Sequence, residues 1–335
     1  MRCGRITGRS AAAVGAGALC ALALAGCGGD QNTLDPASHA ERSISQLFWV
    51  MFAAACVGFG FIVLLLFTGW WNRTRPTLPG GGGEKAAFRV VIVLGVAVPV
   101  VLLCALFFYS DLFVMNSTAA PAKGSTPITV DVTGHQWWWE VSYPGSSVVT
   151  ANEIHIPTKT RVAVVTSTAD VIHSFWIPEL NRKIDMIPGQ SNRVLLVADK
   201  PGTYRGQCAE FCGLQHAHMA VLVIAQPRAA YDRWLAQNAK PAPASAARGR
   251  HLFFSQSCAD CHQIRGTDAH GRVGPDLTHV AGRTTLAAGE IPNTSARLLD
   301  WLKDPQHVKP GNKMPDLALS DADWRSLRDY LETLR

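Results

Sequence analysis

The sequence predicts a multidomain membrane protein: a two-helix transmembrane hairpin, then an all-β domain, then a small all-α domain. Three observations lead there. Residues 47–71 and 90–109 hold no charged side chain over 25 and 20 positions. Between 128 and 224, short β-branched runs alternate with Gly, Pro, Asn and Lys punctuation. Beyond a Pro/Ala stretch at 240–245, apolar residues return at helical spacing, and the 335 residues suffice for about two or three domains.

At the start of the chain, Arg2, Arg5 and Arg9 precede an apolar stretch over 11–25 that ends in Leu24-Ala25-Gly26-Cys27. This reads as a bacterial export signal over 1–26, with Cys27 left as a lipid attachment point. The stretch is short and poor in bulky residues for a membrane anchor. The two longer runs can each cross a hydrocarbon core of about 30 Å at roughly 1.5 Å per residue, which makes 27–118 the anchoring segment. Arg73, Arg75, Lys85 and Arg89 stand between them against Glu84 alone. That turn therefore faces the cytoplasm, and everything after about Ser110 lies on the outer face of the membrane. Pro99, in the middle of the second run, predicts a kink.

The net charge of +6 comes from 31 basic and 25 acidic residues. The outer parts are nearly neutral, with ten basic and nine acidic side chains over 119–236 and eleven of each over 249–335. No clustered basic face exists for nucleic acid. A charged fraction of 17% also excludes a disordered chain.

The β region supplies four clear runs: Thr129-Val130-Asp131-Val132, Arg161-Val162-Ala163-Val164-Val165, Arg193-Val194-Leu195-Leu196-Val197 and Ala220-Val221-Leu222-Val223-Ile224. Their spacing predicts an antiparallel sandwich or barrel over 119–236. On such a strand Trp137 and Trp139 would share one face and Trp138 the other, with Trp138 and Trp139 read as packing residues.

Nine cysteines on an exported chain ordinarily suggest disulfides. Here Cys3 and Cys20 belong to the signal, Cys27 takes the lipid, and Cys56 and Cys104 lie in the apolar runs. Cys208, Cys212, Cys258 and Cys261 remain, in two close pairs with histidines nearby, and they read as ligands. Cys208-Ala209-Glu210-Phe211-Cys212 leads into His216, His218 and Met219, while His173 follows a strand. Two thiolates, imidazoles and a thioether form a soft donor set that favours copper. As bridging ligands the cysteines could hold two metal ions, each capped by one histidine. A structural zinc site from Cys208, Cys212, His173 and His216 is the competing reading.

These residues resemble the binuclear copper A domain of cytochrome c oxidase subunit II, a cupredoxin preceded by a two-helix hairpin. The resemblance covers about 40–236 and rests on the complete C-x-E-x-C-x-x-x-H-x-x-M. It implies His173, Cys208, Cys212, His216 and Met219 as side-chain ligands and Glu210 as a carbonyl ligand, with both cysteines bridging. It selects His216 over His218, whose own reading is a surface or hydrogen-bonding histidine. It further implies that the Glu210 carboxylate helps bind magnesium at the contact with the catalytic subunit. Gly134-His135-Gln136-Trp137 matches the family's aromatic segment, which makes Trp137 the residue where electrons come in. Asp185 falls where the family keeps an acid near the path to the next haem. Glu84, followed by Lys85-Ala86-Ala87-Phe88-Arg89, departs from the family pattern, so no proton-uptake role is assigned to it.

Tyr231-Asp232-Arg233-Trp234 predicts a short helix closing the β domain, and 237–248 a semi-rigid, extended Pro/Ala linker. Cys258-Ala259-Asp260-Cys261-His262 then follows. The spacing suits two thioether bonds to haem vinyl groups, with His262 on the iron; a redox dithiol is the alternative, without a thioredoxin-like pattern around it. Residues 249–335 resemble a small class I cytochrome c. Gly249 and Phe253, Gly274-Pro275-Asp276-Leu277 and Lys313-Met314-Pro315 carry that likeness, and it implies His262/Met314 coordination of iron. Ser320 caps a last helix whose Trp324, Leu327, Leu331 and Leu334 form a packing stripe.

The combined resemblance implies the electron-input subunit of a haem–copper oxidase in the bacterial cell membrane. Electrons would pass from haem c to copper A and on to a separate catalytic subunit, subunit I, which reduces O2 to water with proton pumping. A cytochrome c or reductase complex would supply them. Two other readings use the same residues. One is the copper A subunit of a nitric oxide reductase; the other is a membrane-anchored copper-binding or delivery protein, which has no use for a covalent haem. A quinol oxidase subunit II is excluded because that relative lacks the copper ligands.

Overall fold

The computed structural model describes residues 29–73, 83–245 and 247–335. The export signal expected at 1–26, its lipid-acceptor Cys27 and Arg75 of the interhelical turn lie outside them. Helix α1 spans His39–Asn72 and starts about two turns before the apolar run. Ser38 explains the early start, since its Oγ accepts from the Glu41 N–H at 3.0 Å. The added turns bury Ala40, Glu41 and Ser45. Ser38 also donates to the Leu180 carbonyl, and Arg42 pairs with Asp199, so this end of the helix is fastened to the β domain.

Helix α2 runs over 84–118 with π-helical stretches at Val93–Ala97 and Ser110–Met115. Just before Pro99, where a kink was expected, the helix carries its first π stretch. The Val98 N–H reaches back to the Val93 carbonyl, and Pro99, which has no N–H to give, sits in the first turn of the α-helical segment that follows. The two helices contain apolar spans with no buried residue in their most hydrophobic windows. Phe59 and Leu103 are 71% and 65% exposed. At about 25 cal/mol per Å2 such surface is costly in water and costs nothing in lipid.

Ten strands form two packed sheets: β1 (Ile128–His135), β2 (Trp138–Ser142), β3 (Val149–Ala151), β4 (Glu153–Pro157), β5 (Val162–Thr168), β6 (His173–Trp176), β7 (Ile184–Met186), β8 (Asn192–Leu196), β9 (Gly202–Cys208) and β10 (Ala220–Gln226). Their orders are β3-β2-β1-β5-β8 and β4-β10-β9-β6-β7. The expected antiparallel pattern is only part of the result, because β1 pairs with β5 and β4 with β10 in parallel. The chain switches sheets at β4 before returning beside β1, so those partners run in the same direction. Trp139, Ile154, Ile156, Phe175 and Leu196 fill the space between the sheets. Helix α3 (Arg228–Asn238) closes one end, with Trp234 stacked on His155 at 3.9 Å.

The expected extended linker is pinned in place. The Ala242 N–H donates to the Arg265 carbonyl at 2.8 Å, and the Arg265 guanidinium reaches the carbonyls of Asn238 and Ala239. The last domain holds α4 (Arg248–Ser255), α5 (Cys258–Cys261), α6 (Ser295–Lys303), α7 (Pro305–Val308) and α8 (Asp321–Glu332), with short hairpins β11–β12 (263–264, 269–270) and β13–β14 (285–286, 291–292). Ser320 caps α8 by accepting from the Asp323 N–H at 3.2 Å, and Trp324, Leu327, Leu331 and Leu334 are buried with Phe253. Gly249 lets α4 cross α8 closely, for a Cβ there would lie 1.9 Å from the Ser326 carbonyl oxygen. Gly249→Ala should therefore destabilise this domain by about 1–3 kcal/mol, read as a lower midpoint of thermal unfolding.

Candidate functional site

Strands β6 and β9 are neighbours, with Phe175 opposite Cys208. That pairing sets His173, the first residue of β6, against Cys208, the last of β9. The loop over 209–219 then folds back: Ala209 N–H donates to Ser174 O at 2.9 Å, and Cys208 N–H to Met219 O at 3.1 Å. Gly213 turns the loop at φ +116°, where a Cβ would come within 3.0 Å of Trp137 Cζ2.

The loop gathers six donors. Cys208 Sγ and Cys212 Sγ are 3.8 Å apart. His173 Nδ1 lies 3.8 Å from the first sulfur and His216 Nδ1 3.7 Å from the second. Met219 Sδ is 3.8 Å from Cys212 Sγ, and the Glu210 carbonyl oxygen 3.2 Å from Cys208 Sγ. His173, both cysteines and Met219 are buried. His218 turns away, its Nδ1 2.6 Å from Glu290 Oε2. The Glu210 side chain is exposed, and so is Asp185 on β7.

Hydrogen bonding with Cys212 holds the Cys208 thiol well below its ordinary range; burial opposes this and the bond to His173 adds to it. A thiolate is thus at hand for a metal. Asp170 orients His173 and was not singled out from the sequence. Its Oδ1 accepts from His173 Nε2 at 2.8 Å, which leaves Nδ1 as the atom facing the sulfurs. The same carboxylate accepts from the N–H groups of Gln136 at 2.7 Å and Val171 at 2.8 Å. Burial alone would raise its pKa, but these bonds prevail and hold it below the ordinary value. Gly134 makes room for the ring, since a Cβ there would meet His173 Cδ2 at 2.8 Å.

Trp137 does not sit on a strand as expected. It occupies the turn joining β1 to β2, where its indole N–H donates to the Cys212 carbonyl at 3.0 Å. The Gln136 side chain donates to the same oxygen at 2.8 Å. Trp139 is fully buried. Trp138 stacks on His135 at 4.3 Å and packs with Ala151 and Ala288.

In the last domain a cavity is lined by Cys258, Cys261, His262 and Met314, and on its other side by Trp137 and Trp138 of the β domain. Cys258 and Cys261 lie on the single turn α5. His262 Nδ1 is 2.8 Å from the Pro275 carbonyl; a carbonyl only accepts, so Nδ1 carries the proton and Nε2 keeps its lone pair. Burial lowers the His262 pKa, with the Pro275 bond opposing, so the ring is neutral, as an iron ligand requires. Gly274 leaves no room for a Cβ, which would lie 2.5 Å from His262 Cε1. Asn312 accepts from the Met314 N–H at 2.7 Å, and Gln306 donates to the Met314 carbonyl at 2.9 Å, which pins the methionine loop over the cavity.

The two halves of this arrangement match two known families. The periplasmic domain of cytochrome c oxidase subunit II matches residues 145–226, and cytochrome c matches residues 246–335. Together they place a cytochrome c oxidase subunit II domain and a cytochrome c domain in one chain. The chain is 31% identical over 335 positions to the cytochrome c oxidase subunit 2 of Alkalihalophilus pseudofirmus, covering 94% of each. It is 30% identical over 349 positions to that of Bacillus subtilis, covering 95% of this chain and 96% of the relative. A solved structure, the periplasmic domain of subunit II of the cytochrome oxidase of Bradyrhizobium japonicum, is 30% identical. It covers 36% of this chain and 96% of its own, at a TM-score of 0.34. The chain belongs to the cytochrome c oxidase subunit 2 family, and is thereby a subunit of an oxidoreductase.

The family implies copper A and the cytochrome c match implies haem. The residues present fit both: a buried pair of thiols with soft donors around it, and a cavity whose thiols, free imidazole nitrogen and thioether converge. Asp170→Asn should weaken copper binding by about 10- to 100-fold, measured by competition with a chelator, with the haem spectrum unchanged.

Proposed function

We propose that this chain takes electrons into its C-terminal domain and passes them through its β domain to a separate catalytic subunit that reduces O2 with proton pumping. In this reading Cys258 and Cys261 bind haem c covalently and His262 and Met314 hold its iron. Cys208, Cys212, His173, His216, Met219 and the Glu210 carbonyl would hold the two coppers. When bound, the haem and the copper pair each supply a one-electron carrier.

One observation supports the route above others. Trp137 lines the haem cavity and donates its indole N–H to the carbonyl of Cys212, so a single side chain joins the two sites. Burial excludes water from the sulfurs and keeps their donor set rigid. The exposed Glu210 carboxylate and Asp185 are free to face the catalytic subunit, the first toward a magnesium ion and the second toward the onward path. Export with Cys27 lipidated, and both domains on the outer face, completes the reading.

The test is the full chain, matured with haem and loaded with copper, followed by optical and electron paramagnetic resonance spectroscopy. One covalent haem per chain is expected, with a mixed-valence signal from an electron shared between two copper nuclei. Cys212→Ser should abolish the copper signal and leave the haem. A colourless site, or a signal from a single copper, would refute the assignment. Trp137→Phe should slow haem-to-copper electron transfer and leave both spectra unchanged.

A further inference from the structure

The haem domain and the β domain are joined by more than the linker. Glu153, at the start of β4, is 2% exposed. Its Oε1 accepts three bonds from the haem domain: Thr284 N–H at 2.7 Å, Thr284 Oγ1–H at 2.6 Å and Thr285 N–H at 3.1 Å. The other oxygen, Oε2, lies 3.8 Å from His155 Nε2. A charge of opposite sign makes the reciprocal contact. Lys309 of the haem domain, 3% exposed, donates to the Trp137 carbonyl at 2.7 Å and to the Ala287 carbonyl at 3.3 Å.

Between these two contacts lies the β13–β14 hairpin. Its tip holds Ala287 and Ala288 at φ 53° and 61°, the left-handed region that alanine avoids. Such a conformation persists only where its surroundings fix it. Here the β domain supplies them: Ala220 N–H donates to the Ala288 carbonyl at 3.0 Å, Arg205 donates to the Gly289 carbonyl at 3.3 Å, and Trp138 packs on Ala288.

We propose that this hairpin is a docking finger and that Glu153 is its anchor, a positioning residue that keeps the haem cavity closed against Trp137. The haem domain is then a fixed part of the electron path and not a cytochrome swinging on its tether. Burial alone would raise the Glu153 pKa; the nearby His155 and the hydrogen bonds from Thr284 outweigh it and keep the carboxyl below its ordinary value. The anchor is therefore ionised at neutral pH. A neutral amide at the same place accepts more weakly, and turns an N–H2 toward donors when its orientation is reversed. The inference rests on the proposed haem-to-copper route for its purpose, while the contact itself can be measured without copper.

The experiment uses the full haem-containing chain in detergent and compares wild type, Glu153→Gln, Thr284→Val and the double variant. Amide hydrogen exchange at 284–290 should be roughly 10- to 100-fold faster in Glu153→Gln, the factor for losing a hydrogen bond to a charged group. If the anchor works through Thr284, the double variant should exchange less than additively. With copper loaded, haem-to-copper electron transfer should slow while both spectra stay as in wild type. Unchanged exchange in Glu153→Gln, or additive effects in the double variant, would overturn the anchor. So would faster exchange with an unchanged transfer rate. Should Glu153→Gln fail to accumulate, Thr284→Val decides alone, through exchange at Thr285. A wild-type chain without the mixed-valence copper signal would instead defeat the proposed function, and exchange would still judge the anchor.

Discussion

The main-chain carbonyl of Cys212 is the point on which the outer part of the molecule turns. It accepts from the Trp137 indole and from the Gln136 amide, and so ties the sulfur-bearing loop to the β1–β2 turn. These two hydrogen bonds add to those by which Ala209 reaches Ser174 and Cys208 reaches Met219, and they act beside Gly213, which has no side chain of its own to pack. The same turn passes its constraint on in two directions. The Gln136 N–H holds Asp170, and Asp170 holds His173; the Trp137 carbonyl receives Lys309 from the haem domain. One carbonyl thereby fixes the imidazole on one side of the sulfurs and, through Trp137, the position of the neighbouring domain.

Burying charge at the seam between domains is not a cheap way to gain stability. Desolvation pushes Lys309 down to about 8 from its ordinary value, against opposing attraction from Glu290 and Cys212. Replacing such a group by an apolar one is often neutral or stabilising. What an ammonium with two carbonyls, and a carboxylate with three donors, do provide is register. A slide of the interface by a few ångströms takes from Glu153 its three donors and from Lys309 the Trp137 carbonyl, and a buried charge that loses its partners costs several kcal/mol. An apolar seam would tolerate the slide. Electron transfer between fixed sites depends on distance, so register is the property that such a seam needs.

Groups that lie close together were legible from the sequence; of the distant ones His173 and Met314 were reached, and Glu153 and Lys309 were not. Cys208, Cys212, His216 and Met219 share one loop, and Cys258, Cys261 and His262 share one turn and its flank, so their spacing alone announced a pair of sites. Asp170 had a local signal, an acid three residues before His173, but nothing in one sequence separates such an acid from a solvated loop charge. Glu153 and Lys309 gave less still, because each meets its partner in the other domain more than 130 residues away. The β domain divides the same way. Strand positions followed from β-branched runs, whereas the parallel pairings depend on where the chain changes sheets. Trp137 was misplaced onto a strand because Gly134-His135-Gln136-Trp137 lacks an ordinary turn signal; the pull of the Cys212 carbonyl on its side chain is a tertiary effect.

The membrane helices extend the same logic to the base of the molecule. Helix α1 outruns its apolar run by about two turns, and those turns are where Ser38 and Arg42 reach Leu180 and Asp199. Helix α2 ends at Thr118, whose carbonyl accepts from Arg182 at 3.4 Å. Leu180 and Arg182 belong to the segment between β6 and β7, and β6 begins with His173. The apolar helices and the His173 imidazole are therefore linked through one short stretch of chain. In the proposed reading a bilayer fixes the height of the apolar spans, the spans fix the 177–183 segment, and that segment fixes the level at which the sulfurs sit. In that reading the β domain is held at a set distance from a catalytic subunit embedded beside it, without a separate device to measure that distance.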